Sequence, residues 1–154
     1  MRIRILWEGK TKDLHLRAIQ QDLAERIGHF TSLSLEDFPA PQRMSQARNA
    51  GLTSKERALL EKLRGSTKVL LDQRGRERTS GEFARWLELE TVRGTRELAF
   101  LVGGPDGFSA AFREKADVLL SLSRLTLTRD WARTLLLEQI YRAFTILRGF
   151  PYAR

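Results

Sequence analysis

The segment LAFLVGGPDG, residues 98–107, decides the fold. Leu98–Val102 is apolar without interruption, as expected of a strand covered on both faces rather than one. It runs directly into Gly103-Gly104-Pro105-Asp106-Gly107, a turn composition that ends the strand and lets a ligand approach the backbone closely. The spacing is neither G-x-G-x-x-G nor a P-loop, since no Gly-Lys-Ser/Thr follows. By itself the segment reads more readily as a tight turn than as a site.

Upstream, Thr79-Ser80 start a helix with Glu82 in its first turn and Phe83, Trp86 and Leu87 along one face. Thr67–Leu71 is a β-prone run closed by Asp72 and Gly75, and Thr53 or Ser54 caps a helix through Leu63 with Glu56 at the capping-box position. Ala40–Leu52 is polar and irregular and predicts a mobile loop. Leu33–Phe38 and Arg2–Trp7 read as strands, the latter ending in a Glu8-Gly9 turn, and Leu16, Ile19, Leu23, Ile27 and Phe30 mark one face of a helix between them. Downstream come a helix over roughly Ala110–Leu120, a short strand Arg124–Thr128 and a last helix over about Trp131–Arg148. This alternation predicts a mostly parallel sheet with helices on both faces, in one domain spanning residues 1–154. Ligands of such sheets settle outside the carboxyl ends of the strands. The unusual residues gather there: Leu71-Asp72, Gly103-Gly104 and Leu122–Leu127.

Composition narrows the function. The chain carries 27 Lys+Arg against 19 Asp+Glu, a net charge of +8 held mainly by arginine, which points to nucleic acid as the anionic partner. With no cysteine, disulfides, thiolate metal sites and cysteine nucleophiles are excluded. His15 and His29 both fall in the first helical stretch, so no metal is expected. The apolar run Ile3–Trp7 is too short for a signal-peptide core or a membrane span, so a cytoplasmic protein without membrane contact is expected.

Three further segments have chemical potential. LSLSRLTL, residues 120–127, alternates leucine with hydroxyl residues, as an ordinary half-buried strand does; an extended loop of that kind also wraps an adenosine, with backbone groups on the base edge and leucines on its faces. Glu138 and Arg142 stand four apart on one helix face, either as an exposed ion pair or as part of a site. Arg74, Arg76 and Arg78 follow one strand, and Arg129, Arg133, Arg142, Arg148 and Arg154 gather toward the C-terminus. Brought to one face, the two groups would track phosphates, with Tyr152 available to stack on a base. The last helix carries more apolar residues than one sheet contact needs, which fits a dimer interface or a fully buried helix.

The strings IRILWEGK (3–10), LLDQRG (70–75), TSGEFA (79–84), FLVGGPDGFS (100–109), LSLSRLTLTRDWAR (120–133) and LLEQIYRAFTILRGFPY (136–152), in this order and along the whole chain, resemble the RlmH family of the SPOUT class. Those proteins methylate N3 of a pseudouridine in large-subunit (23S) ribosomal RNA. The resemblance implies a C-terminal trefoil-type knot, in which a late segment threads a loop against the usual rule, and a homodimer. It implies S-adenosyl-L-methionine (SAM) as cofactor, bound by Leu71, Gly103, Leu122, Ser123, Arg124, Leu125, Thr126 and Leu127. Glu138 and Arg142 would be catalytic and Arg129, Arg133, Tyr152 and Arg154 would face RNA of the ribosome, the site being completed across the dimer. The chain departs from the family in having Arg129 and Ala153 where histidine is usual, so deprotonation of the nucleoside is expected to rely on water or a carboxylate. Two other functions stay open: a ribosome-associated RNA-binding protein that lost its chemistry, and a methyltransferase for another RNA nucleoside, such as a tRNA base.

Overall fold

The computed structural model describes residues 1–39 and 51–152. The expected loop Ala40–Leu52 lies almost wholly outside the described residues, as do Ala153 and Arg154. The elements are β1 (Arg2–Glu8), α1 (Leu14–Gly28), β2 (Leu33–Phe38), α2 (Ser54–Lys62), β3 (Thr67–Glu77), α3 (Ser80–Val92), β4 (Glu97–Val102), α4 (Ala110–Lys115), β5 (Val118–Ser121) and α5 (Arg129–Arg148). The strands form one sheet in the order β2-β1-β4-β3-β5, and every pairing is parallel.

Side-chain alternation along the strands divides the core into two layers. Ile3, Ile5 and Trp7 of β1, Leu98, Phe100 and Val102 of β4 and Val69 of β3 pack with Leu23, Phe83, Leu87, Leu136 and Ile140, from α1, α3 and α5. On the opposite face Leu6, Leu70, Ala99 and Leu101 meet Leu59, Leu63 and Phe112, from α2 and α4 and the residue following α2. Helices therefore cover both faces, and β4 is buried on each side, as its unbroken apolar run requires.

The helix starts follow their capping residues. Thr53 and Thr79 each accept the backbone N–H three residues on, while Glu56 and Glu82 accept from the cap's own N–H. Thr128 caps α5, which begins at Arg129 rather than Trp131. In α1 the buried stripe is Leu16, Gln20, Leu23 and Ile27; Ile19 is half exposed and Phe30 lies past the helix end.

Two segments correct the reading of the sequence. β3 does not stop at Leu71 but continues to Glu77, with a register break between Leu71 and Arg76, so Arg74 and Arg76 lie within the strand rather than on a loop after it. Gly75 permits this: a Cβ there would lie 2.6 Å from the backbone of Leu119 and Leu120. The strand expected at Arg124–Thr128 is absent, and the strand is Val118–Ser121 instead, where a helix was expected to continue. Asp117 sets its start by donating its N–H to Lys68 O at 2.9 Å and accepting the Lys68 N–H through Oδ2 at 2.7 Å. Four residues are too few to impose a period that a helix pattern cannot imitate.

Candidate functional site

A cavity of ≈ 1040 Å³ opens at the register break of β3 and the carboxyl ends of β4 and β5, bounded by Leu71-Asp72, Val102-Gly103 and Leu120-Ser121, and closed by the segment between β5 and α5. Each side is shaped by local chemistry. After β4, Gly107 N–H donates to Gly104 O at 3.0 Å, closing a turn with Pro105 second and Gly107 fourth, the latter at φ 66° in the left-handed region. The Phe108 ring packs under this turn, 4.8 Å from Phe112 between centroids, and a Cβ on Gly103 would press it at 3.0 Å. After β5, the chain is held open by its own hydroxyls. Ser121 Oγ donates to Ser123 O at 3.2 Å, and Ser123 Oγ accepts the Leu125 N–H at 2.9 Å. Gln73 Nε2 reaches Thr126 Oγ1 at 3.3 Å and links this segment to the break in β3.

Of the positions expected to bind the cofactor, Leu71, Gly103, Leu122, Ser123, Leu125, Thr126 and Leu127 all line this cavity. Arg124 does not: its side chain is 88% exposed and pairs with Glu77, Nε to Oε1 at 3.1 Å. Leucines supply apolar walls, and charges of both signs stand at the rim: Lys12 and Arg129 against Asp106 and Asp130, with Arg113 3.8 Å from Asp72. The cavity can therefore seat a flat apolar group with a zwitterionic tail, such as a nucleoside carrying an amino acid.

Arg133 is corrected. Expected to face RNA, it is wholly buried under β1. Its guanidinium donates to the Glu8 carbonyl and, at 3.1 Å, to Thr11 Oγ1, and lies 4.9 Å from the Trp7 ring centroid. Burial lowers its pKa from the usual guanidinium value, and Asp130 partly restores it. A charge count along the sequence cannot distinguish such an arginine from a solvated one. Around it, Gln20 Nε2 donates to Thr134 Oγ1 at 3.0 Å and Gln20 Oε1 accepts from Thr11 Oγ1 at 2.8 Å. This polar cluster fastens the start of α5 to the end of β1. Arg129, in the first turn of α5, does line the cavity.

Glu138, Arg142 and Tyr152 come together elsewhere. Arg142 donates through Nε at 2.9 Å and Nη2 at 2.7 Å to Glu138 Oε1, which also accepts the Tyr152 hydroxyl at 3.2 Å. The Arg142 guanidinium sits 5.2 Å from the Tyr152 ring centroid. The hydrogen bond to Glu138 raises the Arg142 pKa, and burial raises that of Tyr152. None of the three lines the cavity of its own chain. The sequence reading overlooked Glu8 and Lys12; the signal for Glu8 was a carboxylate ending an otherwise apolar strand beside a glycine.

A parallel α/β sheet with a ligand-sized cavity outside its strand ends, bounded by a glycine turn, defines the class of α/β proteins that hold their ligands at the carboxyl edge of the sheet. A family model described as "Predicted SPOUT methyltransferase" matches residues 1–153. A relative from Geobacter sp. (strain M21), named ribosomal RNA large subunit methyltransferase H, is 41% identical over 99% of this chain and 98% of its own. One of the same name from Bacteroides fragilis is 36% identical over 99% and 98%. The chain belongs to the SPOUT methyltransferase family. Among solved structures, a methylase family protein from Haemophilus influenzae aligns with TM-score 0.56 at 15% identity over 99% of this chain and 70% of that one. Another from Neisseria gonorrhoeae gives 0.54 at 14% over 91% and 81%. At those identities the likeness is one of fold.

Proposed function

We propose that this chain methylates large-subunit ribosomal RNA at N3 of a pseudouridine, with SAM bound in the cavity at the register break of β3 and the carboxyl ends of β4 and β5. The observation that supports this most is convergence: seven side chains or backbone positions from three separate stretches line one cavity beside a glycine turn. Relatives over 40% identical across the whole length carry the name ribosomal RNA large subunit methyltransferase H, which supports the substrate class. The residues fit the cofactor: Leu71, Leu122 and Leu127 suit an adenine face, the backbone at Gly103 is open to close approach, and Lys12 and Asp106 offer opposite charges to the amino-acid end. When bound, SAM supplies an electrophilic methyl group.

The protein's remaining tasks are positioning and charge. N3 must be held in line with the methyl and must lose its proton. Arg142, oriented by the two hydrogen bonds to Glu138, is the candidate for stabilising the negative charge that develops on the base. Glu138 orients Arg142 or takes the proton. Because this cluster does not line its own chain's cavity, the reading requires a homodimer in which one chain's cluster meets the partner's cavity. Apolar surface on α5 and the tail, with Trp131 51% and Phe150 53% exposed, supports that assembly. A knot is supported by the path of the chain: it leaves β5 at the sheet edge, passes the ends of β3 and β4, and enters α5, where Arg133 grips β1 near the centre. A cytoplasmic setting follows from a ribosomal substrate; among the described residues no helix is long and apolar enough to cross a membrane, and no acidic or histidine group is placed to hold a metal.

Calorimetry with SAM and S-adenosylhomocysteine tests the cofactor, and both are expected to bind. Mass spectrometry of ribosomal RNA from a deletion strain tests the substrate. Loss of N3-methylpseudouridine is expected; an unchanged level would remove the ribosomal assignment.

A further inference from the structure

Glu8 is the last residue of β1 and is 7% exposed, yet it carries a carboxylate that the proposed chemistry does not use. Its two ends are held by different parts of the molecule. The backbone carbonyl accepts from buried Arg133 of α5, which fixes the position of the residue. The carboxylate lies against the backbone of Gly104, whose N–H favours its charged form, and occupies the place where a side chain at Gly104 would project: a Cβ there would fall on Glu8 Oε2 and 2.7 Å from its Cδ. The other end of the same turn has a similar fastening. Glu56 of α2, also buried, accepts the Ser109 N–H at 2.9 Å and the Ser109 hydroxyl at 2.7 Å. Between these two carboxylates lie Gly104–Phe108, all of them on the cavity wall.

We infer that Glu8 is a positioning residue, whose carboxylate holds the Gly103–Gly107 turn in the shape that lines the cavity. An amide dipole facing a buried carboxylate is attracted more strongly than one facing a neutral group, and the close contact at Gly104 leaves the turn no room to move toward β1. The inference rests on reading the cavity as the SAM site for its consequence, though not for the clamp itself. Glu8 is also titratable. Burial raises its pKa, the Gly104 N–H and the charges of Lys55 and Arg129 oppose the rise, and Asp106 adds to it; Arg133 faces its backbone side. Protonation removes the charge that attracts the Gly104 N–H at this contact, so the clamp loosens as pH falls through the raised value.

The test uses NMR and calorimetry on the full chain. In the wild type the Gly104 amide proton is expected to titrate in one step with a midpoint shared by the Glu8 side-chain carboxyl carbon and above the ordinary glutamate value. In Glu8→Gln, which keeps shape and a neutral acceptor, the step is expected to vanish. SAM affinity should weaken about fivefold across that step in the wild type and stay at the weaker, pH-independent level in the variant. A Gly104 amide that stays flat while Glu8 titrates overturns the clamp, and this holds even if the variant does not fold, because the wild type alone decides it. Affinity that ignores the step overturns the positioning role. Failure of SAM to bind at any pH defeats the cofactor reading instead and leaves the clamp to be judged by the amide.

Discussion

Arg133 and Glu36 show how a charge changes meaning with its surroundings. Arg133 is sealed between α5 and the end of β1, so Arg133→Met leaves the Glu8 carbonyl and Thr11 hydroxyl without their donor. The expected cost is about 3 kcal/mol, read as a lower midpoint in urea unfolding. RNA affinity per folded molecule should not change, whereas Arg129→Ala at the cavity rim should weaken it and reduce its salt dependence. Glu36 accepts from Arg4 Nε at 2.9 Å and pairs with Lys62 at 2.5 Å, and these partners lower its carboxyl to about 2. A depressed carboxyl contributes stability that is present above its unfolded value of 4.5 and is lost as pH falls toward 2. Unfolding measured between pH 5 and pH 2 should therefore show Glu36→Gln converging on the wild type at the acid end, after a deficit of about 1–2 kcal/mol at neutral pH. A deficit that persists unchanged into acid would point to packing rather than charge.

At the scale of elements, legibility followed pattern length and local chemistry. β2 was readable to the residue, β4 nearly so, and the capping boxes at Thr53 and Thr79 fixed two helix starts, because those signals lie within a few consecutive positions. β5 was not readable: its four residues follow six of helix, and its identity comes from pairing with β3, a contact distant in sequence. The leucine–hydroxyl alternation of 120–127 imitated a strand beyond Ser121, yet its hydroxyls serve the turn that follows β5, through Ser121 and Ser123. The extension of β3 depends on Gly75, whose role appears only where β5 passes against it. Gly75→Ala should force that crossing apart and destabilise the fold by about 1–3 kcal/mol, seen as a lowered thermal midpoint. Unchanged stability would mean that the Leu119–Leu120 backbone yields easily.

Across the whole molecule, the sheet's carboxyl edge is where distant parts of the chain are fastened together. Arg133 joins α5 to β1, Glu8 joins β1 to the turn after β4, Glu56 joins α2 to the start of α4, and Gln73 joins β3 to the segment after β5. This explains how so small a sheet holds the cavity open, and why the expected cofactor positions, scattered from residue 71 to residue 127, come to line it together. The sequence strings singled out those positions as expected cofactor contacts, but carried no sign that Arg124 turns outward or that Glu138 and Arg142 stand apart from the cavity. That separation makes assembly part of the proposed chemistry: sedimentation should show a dimer, and Glu138→Gln should lower the methylation rate while leaving SAM affinity unchanged. The most direct test of the central claim is a crystal structure of the chain grown with SAM. The adenosine should lie against Gly103 and the 122–127 segment, within the cavity formed by the break in β3 and the ends of β4 and β5. Density for the methyl donor elsewhere, with that cavity empty at saturating donor, would contradict the account.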